Sequence, residues 1–250
     1  NRNTGFITEL VSPAVENEKI TSFEAGYHFK TNNFRANFNA YVTNWTDRTL
    51  SSFGTDDNGT PDDDQDDFDT TTLQRGITQY HSGAELDVRY RATDWLSLRG
   101  FVSAGSWTYK GEAIVSTYNA DTNEQIGETS TVNRDGIKVS TAPQFTAGMG
   151  FDAKITTGLS IDARIKYRDN HYEFTNENTS IEDYRGDQLG SYALTNAGIT
   201  YRFSLGNSNR MTFRANMFNV FDKVYIQQTD RFGYFTTGGR TFNASMRYEF

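Results

Sequence analysis

Nine stretches of the chain alternate apolar and polar residues with a period of two. In 20–30, Phe23, Ala25, Tyr27 and Phe29 share one parity, and Ser22, Glu24, Gly26, His28 and Lys30 the other. Successive side chains of a strand point to opposite faces, so the pattern predicts a strand with one oily face. The same reading predicts strands over 33–46, 78–91, 95–109, 143–154, 159–171, 190–203, 211–224 and from Thr241 to Phe250. In the last, Phe242, Ala244, Met246, Tyr248 and Phe250 oppose Thr241, Asn243, Ser245, Arg247 and Glu249.

The connections alternate in length. Short turns fall at Thr31-Asn32, Thr93-Asp94, Thr156-Thr157-Gly158 and Leu205 to Asn209. Long polar segments fall at 47–76, 110–141 and 172–188 and after Tyr225; the second has room for a protruding hairpin. A membrane β-barrel sorts its loops this way, with short periplasmic turns and long outer loops. A soluble sandwich has no reason to do so. Aromatics of the oily face gather beside the short turns (Tyr27, Phe29, Phe34, Tyr90, Phe151, Tyr201, Phe203, Phe213, Tyr248 and Phe250). There they form an interfacial girdle. The fold class is all-β, an antiparallel transmembrane β-barrel.

Composition narrows this further. The 250 residues include no Cys, so a disulfide framework and a thiolate metal site are excluded. No run approaches 18 apolar residues, so there is no transmembrane helix. A mean hydropathy of -0.69 fits strands that face a polar lumen on one side. Net charge -8 and pI ≈ 4.9 argue against a nucleic-acid partner. Asn1 to Gly5 lacks an initiator Met and the marks of a signal peptide. The chain is expected to be a C-terminal piece of a longer protein. Nine antiparallel strands cannot close a barrel, because the first and last run the same way. Either residues 1–16 supply a tenth strand or further strands lie outside the chain.

Candidate chemistry lies mainly in the loops. The run from Thr55 to Asp69 is rich in Asp, and Asp56, Asn58, Asp62, Asp64 and Asp66 are the candidate oxygen donors for calcium, the only cofactor considered. The spacing and distant Glu of an EF-hand are absent. A solvated acidic loop is the plainer expectation. Trp45, Trp107, Tyr109, Tyr172, Phe174, Tyr184, Tyr225 and Tyr234 are candidates to grip an amphipathic ligand, against a simpler role in the outer girdle and loop packing. His171 near Asp169 echoes the pair of a barrel protease, although a lone surface His is the plainer reading. No catalytic residue is assigned. The inward residues Arg35, Glu85, Asp87, Arg89, Arg99, Arg164, Lys166, Arg168, Arg202 and Arg247 mix both signs. Such a lumen suits a domain held by ion pairs.

Three stretches carry a family resemblance. They are Glu16 to Tyr27 with Asn39 to Thr43; Ala215 to Tyr225, which contains an Asn-hydrophobic-Phe-Asp-x-x-Tyr element; and Gly238 to Phe250. Together they resemble the C-terminal barrel part of TonB-dependent outer-membrane receptors. The resemblance implies a bacterial outer-membrane location and about 22 strands around a plug domain. The nine strands here would be the last of them. It implies TonB-energised uptake of a siderophore, vitamin, glycan or peptide, with the plug and the TonB complex as partners. Outer-membrane lipid and lipopolysaccharide, the barrel insertion machinery and a surface lipoprotein are further expected partners. Tyr248 and Phe250 resemble the terminal signal read by that machinery. A barrel protease and a passive porin are the alternatives.

Overall fold

The structure, a computed structural model, describes residues 16–62, 64–140, 142–175, 180–206, 209–230 and 232–250. The expectation for residues 1–16 falls almost wholly outside them. All regular structure is β. The strands are β1 (Lys19–Lys30), β2 (Phe34–Asp56), β3 (Phe68–Arg91), β4 (Leu96–Lys110), β5 (Glu112–Asn119), β6 (Gln125–Asn133), β7 (Phe145–Lys154), β8 (Leu159–Asp169), β9 (Tyr192–Leu205), β10 (Asn209–Phe218), β11 (Ile226–Asp230), β12 (Gly233–Thr236) and β13 (Thr241–Glu249). Nine of them form one antiparallel path, β1-β2-β3-β4-β7-β8-β9-β10-β13. These are the nine strands that the alternation predicts.

The register keeps the oily parity on one face throughout. Tyr27 pairs with Phe38, Phe38 with Leu86, and Leu86 with Val102. Val102 pairs with Ala147, Ala147 with Tyr167, and Tyr167 with Ala193. A slip of one residue in any pair would turn that strand's charges into the oily face, which fixes the register. The girdle aromatics touch: Phe29 and Phe34 lie 6.1 Å apart, Phe34 and Tyr90 6.4 Å, and Tyr201 and Phe203 5.5 Å. Thr31, Thr93 and Ile155 close short turns by donating backbone N–H groups to Phe34, Leu96 and Leu159.

Two predicted elements change. The segment 47–76 is mostly not a loop. β2 runs for 23 residues and β3 for 24, leaving a tip at 57–67. With a rise of about 3.3 Å per residue and a tilt near 40°, about ten residues cross a 25 Å apolar band. More than half of each strand therefore stands outside the bilayer. There β5 takes over from β4 beside β3, and β6 pairs with β5, giving the expected hairpin in 110–141. Leu73, Ile77, Ala113, Val115, Tyr118, Ile137 and Val139 are buried in this outer sheet. The second change is β10, which ends at Phe218 rather than near 224. Asn219 adopts a left-handed φ of 49° and breaks the strand.

Ala163 pairs with Phe151 and Ala197 on the oily face, midway along β8. Ala163→Arg is expected to cost about 2–4 kcal/mol in lipid, the range for a cation near the bilayer midplane. Urea unfolding in vesicles with equal stability for both proteins would reverse the facing assignment.

Candidate functional site

The outer end of the lumen-side wall carries a cluster of rings. Tyr41, Trp45, His81, Trp107 and Tyr109 share the polar parity of β2, β3 and β4, and His81 pairs directly with Trp107. Tyr41 pairs with Gly83, and Gly83 with Gly105. A Cβ at Gly83 would meet the Tyr41 hydroxyl at 2.6 Å, and one at Gly105 would meet Trp107 Nε1 at 2.7 Å. These two glycines let the rings lie flat on the sheet. Trp107 Nε1 donates to the Tyr41 hydroxyl at 2.9 Å, and the His81 and Trp107 rings stack 5.4 Å apart. Gln144, itself buried, accepts from the Trp107 N–H and donates to the Trp107 carbonyl, each at 3.0 Å. Arg48 lies 3.8 Å over the Trp45 ring, and Trp45 Nε1 donates to Glu18. Arg134 lies 4.2 Å over Tyr109. The rings stay half-buried on the lumen side of the sheet.

The outer loops are tied to one another above this wall. Ile181 N–H donates to the Asn133 carbonyl, joining the 172–188 loop to the end of β6. Phe174 N–H donates to Thr229 Oγ1 at 2.6 Å, joining the same loop to the β11–β12 hairpin. That hairpin was not predicted. His171 is the buried joint. It is 2% exposed, stands edge-on to Tyr192 at 5.7 Å, and its Nε2 reaches the Ile226 carbonyl at 3.4 Å. Tyr192 in turn stacks on Tyr225 at 5.3 Å and accepts a hydrogen bond from Arg168.

The predicted aromatics therefore separate. Trp45, Trp107 and Tyr109 come together on the lumen wall. Tyr172, Phe174 and Tyr184 belong to the loop joint, Tyr225 packs on Tyr192, and Tyr234 is exposed on the hairpin. Tyr41 and His81 join the wall although neither is a candidate for ligand contact from the sequence; their role depends on the pairing of Tyr41 with Gly83 and of His81 with Trp107. Asp169 accepts from the Tyr167 hydroxyl and from Gln188, and no hydrogen bond links it to His171 among the described residues. At the acidic tip, Asp66 accepts from Thr60 Oγ1 at 2.7 Å and Asn58 Nδ2 at 3.0 Å. Asp56 accepts from the Asn58 N–H. The Thr60 hydroxyl, then the Asn58 amide, hold the Asp66 carboxyl below the usual carboxylate range. Among the described residues, no three His, Asp or Glu side chains converge as metal ligands. Tyr248 and Phe250 lie 6.0 Å apart on the oily face.

The profile of the family described as "TonB dependent receptor-like, beta-barrel" matches residues 3–220. The chain belongs to the TonB-dependent receptor family. It is thus part of a multi-pass barrel of the bacterial outer membrane. No curated protein sequence matches. Among solved structures, the copper transporter OprC aligns over 94% of this chain and 32% of its own, with TM-score 0.59 and 14% identity. The outer-membrane transporter YddB from Escherichia coli aligns over 94% and 33%, with TM-score 0.57 and 14% identity. At such identity the likeness is one of fold. The chain spans about a third of the length of each.

The receptor's Asn-hydrophobic-Phe-Asp-x-x-Tyr element has a structural account. Asn219 Nδ2 donates to the carbonyls of Lys223 and Gly238, and its Oδ1 accepts from the Lys223 N–H. Asp222 accepts from the Arg240 N–H at 2.7 Å and pairs with the Arg240 guanidinium. The Arg240 amide, then its side chain, hold the Asp222 carboxyl below its usual range. The element closes the path from β10 to β13.

Two outcomes are expected of this receptor. Asn219→Ala removes three hydrogen bonds from a buried, left-handed position and costs about 2–4 kcal/mol; denaturant unfolding of the folded barrel measures it. For His171, burial lowers the pKa below 6.5, outweighing the opposing Ile226 carbonyl and Asp169 and aided by Arg168. A His with a depressed folded pKa stabilises the closed joint fully above pH 6.5 and less as pH falls below it. Amide protection factors, with the intrinsic pH dependence of exchange divided out, are expected to fall at 171–175, 226–230 and 232–236 between pH 7.5 and 5. His171→Phe should abolish that pH dependence.

Proposed function

We propose that this chain is part of a TonB-energised outer-membrane importer that captures a scarce nutrient at its outer mouth. The observation that carries the reading is the ring cluster of Tyr41, His81 and Trp107, seated on Gly83 and Gly105 at the outer end of the lumen wall. Flattened aromatic rings beside Glu18, Arg48 and Gln79 offer apolar faces with polar edges, the makings of a ligand site. A wall needing only water passage has no use for such rings or for glycines that clear space beneath them. The plug domain and the TonB complex are the partners this reading requires. A siderophore, vitamin, glycan or peptide is the cargo class.

The test is growth of a strain carrying the full-length receptor on a panel of such nutrients as limiting source. Uptake is expected to vanish without TonB. Trp107→Ala is expected to weaken ligand binding by roughly 10–30-fold, the loss typical of a buried aromatic anchor. Tyr234→Ala, on the exposed hairpin, should change it little. TonB-independent uptake, together with swelling of liposomes in small sugars, would move the assignment to a passive porin.

A further inference from the structure

A groove of about 690 Å³ crosses the lipid-facing side of the sheet. Its floor follows one row of paired residues. Val88 of β3 pairs with Gly100 of β4, Gly100 with Met149 of β7, Met149 with Ile165 of β8, and Ile165 with Thr195 of β9. Phe221 stands at the far end, next to Val220, whose N–H donates to the Thr195 carbonyl. Among the described glycines in the membrane-crossing parts of the nine strands, Gly100 alone has the oily parity. A Cβ there would meet the Gly148 carbonyl oxygen and Val88 Cγ2 at 3.5 Å, an ordinary contact. Backbone packing therefore does not require glycine at 100, and the missing side chain leaves space on the lipid side.

The row climbs through the membrane. Val88 lies three residues from the periplasmic end of β3, Gly100 four from that of β4, Met149 five from that of β7, Ile165 six from that of β8 and Thr195 ten from that of β9. Its four strand spacings of about 4.8 Å cover roughly 19 Å. With strands tilted near 40°, such a path rises about 12 Å, within the roughly 15 Å of one leaflet. Its lower end meets cations. Lys30 and Arg91 line a cleft of about 420 Å³ that shares Phe34, Tyr90 and Leu98 with the groove. Arg91 donates to the Asn32 carbonyl at 3.0 Å, which holds its guanidinium at the β1–β2 turn. Both cations are exposed, and no ion pair among the described residues engages either. Asp152, the cleft's one carboxylate, is paired with Arg99.

We propose that this face holds one anionic phospholipid of the inner leaflet, with an acyl chain in the groove and the phosphate at Lys30 and Arg91. The inference needs only the barrel in its membrane and is independent of what the receptor imports. The course of the groove, from the periplasmic rim toward mid-membrane, is that of an inner-leaflet chain. A methylene takes up about the volume of a water molecule, roughly 30 Å³, so the groove has room for about twenty. The charge at the rim selects the headgroup. Arginine's planar fork suits a phosphate, and basic residues at a membrane surface favour anionic lipid. A zwitterionic headgroup brings its own ammonium, which the two cations oppose.

The experiment uses the full-length receptor, purified in detergent and freed of lipid, and reads lipid binding by native mass spectrometry. Phosphatidylglycerol and phosphatidylethanolamine with matched chains are titrated in turn. The wild type is expected to hold one phosphatidylglycerol roughly 10–30-fold more tightly than phosphatidylethanolamine, a scale set by two cations at a membrane surface. Lys30→Gln/Arg91→Gln should erase that preference. Gly100→Phe, which fills the groove, should weaken both lipids about tenfold, the loss of about two buried methylenes. Ala244→Phe, on the oily face of β13, is the control and should change neither. Heat-modifiable migration checks that each barrel is folded. That pattern supports the proposal. Equal binding of the two lipids by the wild type overturns it, as does wild-type binding by a folded Gly100→Phe variant. An undiminished preference in Lys30→Gln/Arg91→Gln overturns it whether or not Gly100→Phe folds. An equal loss in Ala244→Phe also overturns it, by showing that any added ring on the oily face sheds lipid. Uptake is not read, so the importer reading stands apart from every outcome.

Discussion

The governing constraint is that no backbone N–H or C=O can be left unpaired in hydrocarbon. Each such group costs several kcal/mol where no water can reach it. An antiparallel meander satisfies the rule strand by strand, and the path from β1 to β13 does so without a gap. The constraint also explains the fixed register. A strand that slipped would keep its hydrogen bonds but turn residues such as Arg35 or Asp87 toward lipid. Backbone pairing and side-chain parity therefore select the same alignment. Among the described residues, β1 and β13 are the two ends of that path.

The bilayer also decides where an ordinary core is found. In the membrane-crossing part, Phe23, Tyr27, Met149, Phe242 and Met246 are exposed to the surroundings, since lipid is their solvent. Burial of the kind found in soluble proteins begins where β2 and β3 leave the membrane. There Ile77 and Ile137 are almost wholly buried. The outer sheet must supply its own core because it stands in water. The loops above it are joined through Ile181, Phe174 and His171, so the mouth is a linked rim.

This division sets how far the sequence could be read. The nine crossing strands were legible because lipid demands a strict apolar parity, as in Phe34, Ala36, Phe38, Ala40 and Val42. The outer halves of β2 and β3 were not. The outer half of β3 buries both parities, Thr70, Gln74 and Arg75 as well as Leu73 and Ile77, so no alternation of oily and polar positions marks the strand. The β11–β12 hairpin was hidden for a different reason: strands of five and four residues are too short to show a period. At the site, Trp107 and Tyr109 stood out by residue type. Tyr41 and His81 did not, because their role depends on pairing with Gly83 and Trp107, a fact of register that only the folded sheet supplies.

The lumen wall is therefore zoned. Its outer end carries rings held flat over glycine, and its inner end carries cations. The two zones call for different occupants. Aromatic rings gain from a ligand that stacks and leaves, since each contact is worth little alone and nothing charged is stranded when it departs. Opposed arginines behave otherwise. Arg35 and Arg89 repel whenever the space before them holds only water and salt, although screening at physiological ionic strength shortens the reach of that repulsion. The two zones of one wall therefore differ in what they attract, apolar faces at the outer end and anions at the inner end.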